Sequence, residues 1–141
     1  MSEPDLPASG LAQLIYVSRS TIPAADFNEA VRQILIKSIS NNRLVDLTGQ
    51  LITRPGFFMQ LLEGPAGAVR TTYARVAADP RHADIRVVAS GPAERRLFRD
   101  WSMSDRRLDD LAPSFTALDE AGARQLFVAP AANNLLLGKY R

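Results

Sequence analysis

The chain has 141 residues, a formal net charge of +2, 46% hydrophobic and 23% charged residues, and no cysteine. This length suits one domain that buries about two-thirds of the surface of its unfolded chain. The lack of cysteine excludes disulfides, thiolate metal sites and cysteinyl–cofactor adducts, and the small net charge does not indicate a nucleic-acid-binding protein.

The first residues predict no targeting segment. They include acidic side chains and no apolar core, unlike a signal peptide. No apolar run approaches the roughly 20 residues that span a bilayer. We therefore expect a soluble, cytoplasmic protein with no membrane partner and with a disordered N-terminal segment over residues 1–9.

A strand and a helix come first among the predicted elements. The mostly apolar run at residues 11–18 predicts the strand. Asp26, followed three residues later by Glu29, resembles a capping box that begins a helix. Apolar residues then recur at helical spacing through about residue 40. Asn41 and Asn42 are expected to end this helix, because Asn tolerates left-handed backbone.

The centre of the chain predicts a β-hairpin. Two apolar runs, at residues 51–52 and 57–62, flank Arg54-Pro55-Gly56, which is a turn signal. Gln60 is the one polar residue of the second run. A buried amide costs free energy unless it finds partners, so Gln60 either makes a local structural hydrogen bond or faces a polar ligand.

The second half predicts a helix and two strands. Gly64-Pro65 begins the helix and Pro80 ends it. Residues 85–89 form a fourth strand, Gly91-Pro92 a turn, and residues 101–103 a short fifth strand. The order of strand, helix, two strands, helix and two strands describes a ferredoxin-like βαββαββ sandwich of the α+β class, with two helices on one face of the sheet.

The C-terminal residues, 109–141, predict a helical extension. Thr116, with Asp119 three residues on, and the apolar residues of 118–128 suggest a short helix that Pro130 breaks, and residues 135–137 suggest a last apolar turn. We expect this extension to cover the open face of the sheet or to pair with another subunit.

No catalytic constellation is evident. The single His82 has no Cys partner and cannot anchor a multi-histidine metal site. Neither a nucleophile elbow, a phosphate loop nor a dinucleotide fingerprint is present. Acidic residues interrupt the Arg residues between positions 95 and 107, which is typical of a solvated loop rather than a nucleic-acid groove. The sequence therefore predicts neither an enzyme nor a metal site.

Several polar, aromatic or sulfur-containing side chains lie at the ends of predicted elements or within apolar strands. Each has an ordinary explanation, such as a core Tyr with its hydroxyl at the rim, a surface Arg–Asp pair or a packed Trp. Taken singly, none indicates a site. They are Tyr16, Asn42, Gln60, Arg75, Asp79, His82, Trp101 and Met103.

Taken together and in order, these residues and their neighbours resemble the BLUF family, blue-light sensors that use flavin, over residues 10–108. The matching stretches are Leu14-Ile15-Tyr16-Val17-Ser18, Asn41-Asn42, Thr48-Gly49, Phe58-Met59-Gln60-Leu61-Leu62-Glu63-Gly64, Asp79-Pro80-Arg81-His82 and Arg96-Leu97-Phe98-Arg99-Asp100-Trp101-Ser102-Met103.

The resemblance implies a non-covalently bound FAD whose isoalloxazine ring lies between the two helices and against the sheet. Tyr16 resembles the photochemical electron and proton donor, and Gln60 the amide that joins it to the flavin. Asn42 resembles the residue that bonds the C4 carbonyl and N3 edge of the flavin. Trp101 and Met103 resemble a pair that exchanges or shifts near Gln60 on signalling. Further contacts to the polar edge of the ring and to the ribityl chain are implied for Asn41, Arg75, Asp79 and His82.

By this resemblance we expect a blue-light photoreceptor, in which FAD excitation drives transfer of an electron and a proton from Tyr16 and then rearranges the hydrogen bonds of Gln60. No cyclase, phosphodiesterase or DNA-binding module follows residue 110, so we expect the output to be altered protein–protein association. The protein would associate as a homo-oligomer or with an unidentified downstream protein, through the C-terminal helices and the sheet edge. Two alternatives are a non-photoactive ferredoxin-like module for interaction or small-ligand binding, and a flavin-dependent redox enzyme.

Three features depart from the family pattern. Gln50 replaces a usually apolar residue and would bring a second amide near the sheet. Asp46 stands where a small residue such as Gly is common. The interval from Tyr16 to Asn42 is slightly longer, in the loop at residues 20–25. These departures bear on kinetics and flavin affinity more than on the fold.

Overall fold

The computed structural model describes residues 4–100, 102–108 and 118–127. The βαββαββ order of the elements confirms the predicted ferredoxin-like α+β sandwich. In chain order the elements are β1 (Leu11–Ser20), a short 3-10 helix (Ala24–Asp26), α1 (Phe27–Leu44), β2 (Thr48–Arg54), β3 (Phe57–Pro65), α2 (Ala66–Ala77), β4 (His82–Pro92), β5 (Ser104–Arg107) and α3 (Glu120–Leu126).

The five strands form one sheet in the order β4-β1-β3-β2-β5. β3 occupies the centre and pairs antiparallel with β1 and β2, whereas β5 pairs parallel with β2. In the register of β1 with β3, Tyr16 stands directly opposite Gln60. Opposed residues of neighbouring strands present their side chains to the same face. The sheet itself therefore brings the phenol and the amide together.

Both faces of the sheet are covered by apolar side chains. Strand residues alternate between the faces, so Leu14 and Tyr16 pack with α1 and α2 while Ile15 and Val17 point to the other side. That second face is covered by the segment containing α3, whose Ala123 packs against the sheet. The described part of the C-terminal segment, residues 118–127, thus packs on the sheet that carries Tyr16 and Gln60.

Some predicted boundaries on the first helix were wrong. Asn41 and Asn42 do not end α1, which continues to Leu44. Asn42 is only 2% exposed, and its side chain is satisfied by a distant backbone carbonyl, so tertiary contacts outweigh its weak helix propensity. Asp26 makes no side-chain capping bond with the helix, and a 3-10 turn precedes α1 instead.

The later strands also differ from prediction. β4 runs from His82 through the expected turn at Gly91-Pro92, because an edge strand tolerates a Pro that cannot donate a ladder hydrogen bond. The fifth strand begins at Ser104, after the predicted residues 101–103. Trp101 and residues 135–137 lie outside the described residues. Within the C-terminal extension, Asp119 caps α3 by accepting a hydrogen bond from the Gly122 backbone N–H at 2.8 Å.

A buried polar cluster fixes the loop between β4 and β5. The carboxylate of Glu63 accepts hydrogen bonds from the backbone N–H groups of Leu97 (2.7 Å) and Phe98 (2.5 Å). Burial raises the pKa of Glu63, and these two donors oppose that shift. Arg96 donates to Thr48 Oγ1 at 3.0 Å. Arg96 is therefore a structural anchor rather than part of a solvated basic loop, and the chain entering β5 is held in place.

The unusual Asp46 and Gln50 both have structural roles. Asp46 has φ +60°, a left-handed conformation that explains why a Gly suits this position, and its carboxylate pairs with Arg96 at 3.0 Å. Gln50 is buried, and its Nε2 donates to the Ser104 hydroxyl at 3.2 Å. Gln50 thus bonds β2 to the start of β5.

Candidate functional site

Tyr16 and Gln60 form the centre of the candidate site. Their side chains are 1% and 5% exposed, and the Tyr16 hydroxyl donates to Gln60 Oε1 at 2.5 Å. Gln60 Nε2 points to the Met103 sulfur at 3.5 Å. A thioether accepts hydrogen bonds but does not donate them, so this orientation matches both ends of the amide to their partners.

The surroundings of Tyr16 keep its phenol protonated. Burial raises the pKa of Tyr16 far above its usual value, and the neighbouring Tyr73 and Asp79 shift it in the same direction. The ring lies 6.1 Å from that of Tyr73 and 5.8 Å from that of His82, measured between centroids. Because the neutral phenol has one short bond to an acceptor, loss of an electron from Tyr16 would release a proton towards Gln60.

A cavity of about 300 Å³ opens beside this pair and between the two helices. The residues implied as flavin contacts by the family resemblance all line it, although their roles towards a flavin stay predictions. They are Tyr16, Asn41, Asn42, Gln60, Arg75, Asp79 and His82.

Other cavity residues were missed by the sequence analysis. On α1, Lys37 and Ser38 lie one helical turn before the predicted Asn41 and Asn42, so helical spacing could have found them. Arg81 lies inside the matched stretch Asp79-Pro80-Arg81-His82 and could have been read from it. Apolar Ile34 and Val76, and also Thr72 and Ala78, complete the missed set.

One end of the cavity carries a fixed group of charges. Asp79 pairs with Arg81, with an Nη2–Oδ2 distance of 2.5 Å. This hydrogen bond lowers the pKa of Asp79. His82 Nδ1 lies 2.7 Å from the Ser18 hydroxyl, and burial lowers the pKa of His82. The imidazole is therefore neutral at physiological pH, and the charged members of this group are Asp79 and Arg81.

Two amides of the cavity wall hold the residues that precede β5. Asn42 Nδ2 donates to the Ser102 backbone oxygen at 2.8 Å. Gln60 contacts the next residue, Met103, which is 1% exposed. The two amides therefore contact consecutive residues, Ser102 at its backbone oxygen and Met103 at its side-chain sulfur, whereas the adjacent Trp101 lies outside the described residues.

The chemistry of the cavity fits a flat aromatic ligand with one polar edge. Ile34 of α1 and Val76 of α2 provide apolar surface, and the amides of Asn42 and Gln60 can each donate and accept. Such a combination of apolar walls and a few convergent polar groups is typical of small-molecule sites. In the part of the chain that the structure describes, no cluster of three or more side chains could hold a metal ion, and no helix is long and apolar enough to cross a membrane.

Comparison with known proteins gives consistent matches. A family model for sensors of blue light using FAD (BLUF) matches residues 11–104. The chain is 31% identical over 140 residues to the photoactivated adenylate cyclase subunit beta of Euglena gracilis, covering 94% of this chain and 16% of that protein. It is 31% identical over 137 residues to the photoactivated adenylate cyclase subunit alpha of the same organism, covering 92% of this chain and 13% of that protein. The chain thus spans about one-sixth or less of the length of these relatives.

Solved structures give the same result. The dark-state structure of BlrB, a BLUF protein, superposes with a TM-score of 0.67 at 33% identity, over 70% of this chain and 74% of that one. Photo-activated BlsA gives a TM-score of 0.68 at 25% identity, over 72% of each chain. A bacterial light-regulated adenylyl cyclase gives a TM-score of 0.67 at 27% identity, over 76% of this chain and 30% of that one.

Proposed function

Because this chain belongs to the BLUF family of blue-light sensors that use FAD, we propose that the flavin ring of FAD lies in the cavity beside Tyr16 and Gln60. The observation that carries this proposal is the buried 2.5 Å bond between the Tyr16 hydroxyl and Gln60 Oε1 on the cavity wall. Asn42 and Gln60 would bond the polar edge of the ring, and Ile34 and Val76 would pack on it.

When bound, FAD supplies a chromophore that absorbs blue light and then accepts an electron. With FAD bound, Tyr16 would supply that electron and would pass its phenolic proton towards Gln60 Oε1, the acceptor already in place. The return of one electron and one proton to Tyr16 would restore the neutral phenol. Gln60 is left with its amide changed, by reorientation or by tautomerisation, because its two ends are chemically different and both have partners nearby.

The changed amide acts on the chain that enters β5. Gln60 contacts Met103 and Asn42 contacts Ser102, so both cavity amides bear on one backbone segment. β5 then reaches α3, because the Arg106 guanidinium donates to the Leu126 carbonyl oxygen. This series of contacts supports a signal that passes from Gln60 through the start of β5 to the C-terminal segment.

The output that these contacts support is a change in association. α3 and Leu118, two residues before it, are tied to the sheet by polar contacts that a shift of β5 would disturb. Arg124 donates to Gln13 at 3.1 Å, and Arg86 donates to the Leu118 carbonyl oxygen at 3.1 Å. We propose a cytoplasmic, non-enzymatic, homo-oligomeric sensor that acts on a downstream protein. The cyclase relatives carry a similar segment within far longer chains. The downstream protein that binds this sensor would therefore be identified by a binding experiment.

An absorption spectrum before and after blue light tests the proposal. We expect purified protein with FAD to show a reversible shift to the red. Tyr16→Phe should bind FAD but show no shift. Tyr73→Phe, the same change on the neighbouring buried ring, is the matched control and should shift normally.

Each other outcome has a definite meaning. A normal shift in Tyr16→Phe would refute Tyr16 as the donor. Protein that stays colourless after flavin is added would favour a ferredoxin-like interaction or small-ligand module. Reduction of the flavin by NADH in the dark would favour a redox enzyme.

A further inference from the structure

A third amide, after those of Asn42 and Gln60, contacts the chain where β5 begins. Gln50 Nε2 donates to the hydroxyl of Ser104 at 3.2 Å, and Ser104 directly follows Met103. Both partners are buried, with Gln50 2% and Ser104 0% exposed. Ser104 is the first residue of β5 and is paired with Gln50 in the parallel register of β2 with β5. The bond therefore holds the first residue of β5 on β2.

The bond between Gln50 and Ser104 lies on the face of the sheet opposite to the cavity. In the register of β2 with β3, Leu51 stands opposite Gln60, whereas Gln50 stands opposite Leu61. Successive residues of a strand point to opposite faces, and Leu61 belongs to the apolar cluster that packs with α3. Gln50 is not among the described residues that line the cavity. An effect of Gln50 on a ligand in the cavity is therefore indirect.

A displacement of Met103 strains the bond between Gln50 and Ser104. Met103 and Ser104 share a planar peptide bond of fixed length, so a movement of one backbone position moves the next. A buried hydroxyl and a buried amide cannot replace each other with water, so separating them costs free energy. The bond therefore opposes the shift of β5 by which the changed amide of Gln60 would signal.

We propose that Gln50 is a positioning residue that returns the start of β5 to its dark-state position after illumination. It acts through Ser104, from the face of the sheet that the cavity does not reach. The proposal rests on the photochemistry proposed above, because it concerns the reversal of the change at Gln60. The apolar side chain that is usual at this position in the family cannot make such a bond. Loss of the bond should slow recovery in the dark and leave the size of the spectral shift unchanged.

The test measures the dark-recovery rate of the full chain with FAD after blue illumination. Gln50→Leu should recover about two- to tenfold more slowly than wild type, the range that corresponds to the loss of one hydrogen bond. Its red shift should have the wild-type size. Ser104→Ala removes the other partner and should slow recovery to a similar extent. The double variant should be no slower than either single variant, because both changes remove the same bond.

Thr53→Val is the matched control. Thr53 is a buried polar residue of the same strand and is paired with Arg107, further along β5. This variant should recover within about twofold of the wild-type rate. Hydrogen exchange in the dark provides a readout that requires no photochemistry. The backbone amides of β5 should exchange faster in Gln50→Leu than in wild type, whereas those of β1 should exchange at the same rate in both.

Recovery of Gln50→Leu at the wild-type rate would overturn the role of Gln50 and leave the photochemistry standing. Slowing in the double variant by the product of the two single effects, or unchanged exchange at β5 in Gln50→Leu, would also overturn it. Absence of any light-induced shift in wild type with FAD would overturn the proposed function. Faster exchange at β5 in Gln50→Leu would even then support Gln50 as the residue that holds this strand.

Discussion

Replacing Asn42 with Asp tests the bond that joins the cavity wall to the start of β5. Asn42 is 2% exposed, and its Nδ2 donates to the Ser102 carbonyl oxygen at 2.8 Å. The introduced side chain has nearly the same shape, but an ionised carboxylate cannot donate a hydrogen bond and would face a carbonyl oxygen. Only its protonated form can restore the bond.

The magnitude follows from burial. Loss of the bond with the Ser102 oxygen left unsatisfied costs about 1–3 kcal/mol. Burial and the facing oxygen should raise the folded-state pKa of the introduced carboxyl group above its unfolded value of about 3.9. Below that value the group is protonated in both states, and Asn42→Asp should be close to wild type. As pH rises towards the folded-state pKa, only the unfolded chain loses the proton, so stability falls by about 1.4 kcal/mol for each pH unit and then levels off.

Urea unfolding of wild type and Asn42→Asp at pH 5 and pH 8 measures this effect. We expect the deficit in free energy of unfolding to be larger at pH 8 by about 1 kcal/mol or more. Asn41→Asp is the matched control, since Asn41 is half-buried and lines the same cavity as Asn42. Its deficit should change little with pH. Equal deficits of Asn42→Asp at the two pH values would refute a stabilising role for the Ser102 bond.

Three further predictions concern single groups. Glu63→Gln should lower the free energy of unfolding by about 1–3 kcal/mol in urea titrations. The carboxylate accepts from two backbone N–H groups, whereas the NH2 group of the introduced Gln is a donor and cannot accept from one of them. An unchanged value would mean that the loop between β4 and β5 finds other acceptors. Asp46→Gly should raise the melting temperature. It relieves left-handed backbone strain of about 1 kcal/mol or more, and the partly exposed ion pair that it removes stabilises the fold by about 1 kcal/mol or less. A lower melting temperature would show that the ion pair outweighs the strain. His82 is the single histidine and burial lowers its pKa, so wild-type stability should fall as pH drops below the unfolded value of about 6.5 towards the lower folded-state pKa. The loss should be smaller in His82→Gln over the same range, and an identical pH profile would exclude His82 as its cause.

The sequence predicted which residues lie beside one cavity better than it predicted the ends of the elements, although the roles of those residues stay predictions. Taken singly, neither Tyr16 nor Gln60 indicated a site, and the resemblance of several stretches in order singled them out. In the structure they meet because β1 and β3 pair in a fixed register. The same resemblance singled out Arg75 and Asp79, which line the cavity with them.

The missed features depend on contacts between distant parts of the chain. Asn42 reads as a helix end because its local preference is weak, but its bond to Ser102, sixty residues away, keeps it inside α1. Arg96 reads as one of several solvated arginines, but it is anchored by Thr48 and Asp46. Neither partner can be known before the sheet is assembled.

The two amide contacts at the start of β5 differ in strength, and in the proposed mechanism this difference would set where the signal begins. Asn42 bonds a backbone carbonyl at 2.8 Å, whereas Gln60 meets a thioether sulfur, a weak acceptor, at 3.5 Å. A rearranged Gln60 therefore gives up little at Met103 and is free to respond to the much shorter Tyr16 bond. In the proposed mechanism, Ser102 would stay held by Asn42 while Met103 is released. The displacement would then start at Met103 and pass into β5 rather than back along the loop that Glu63 fixes.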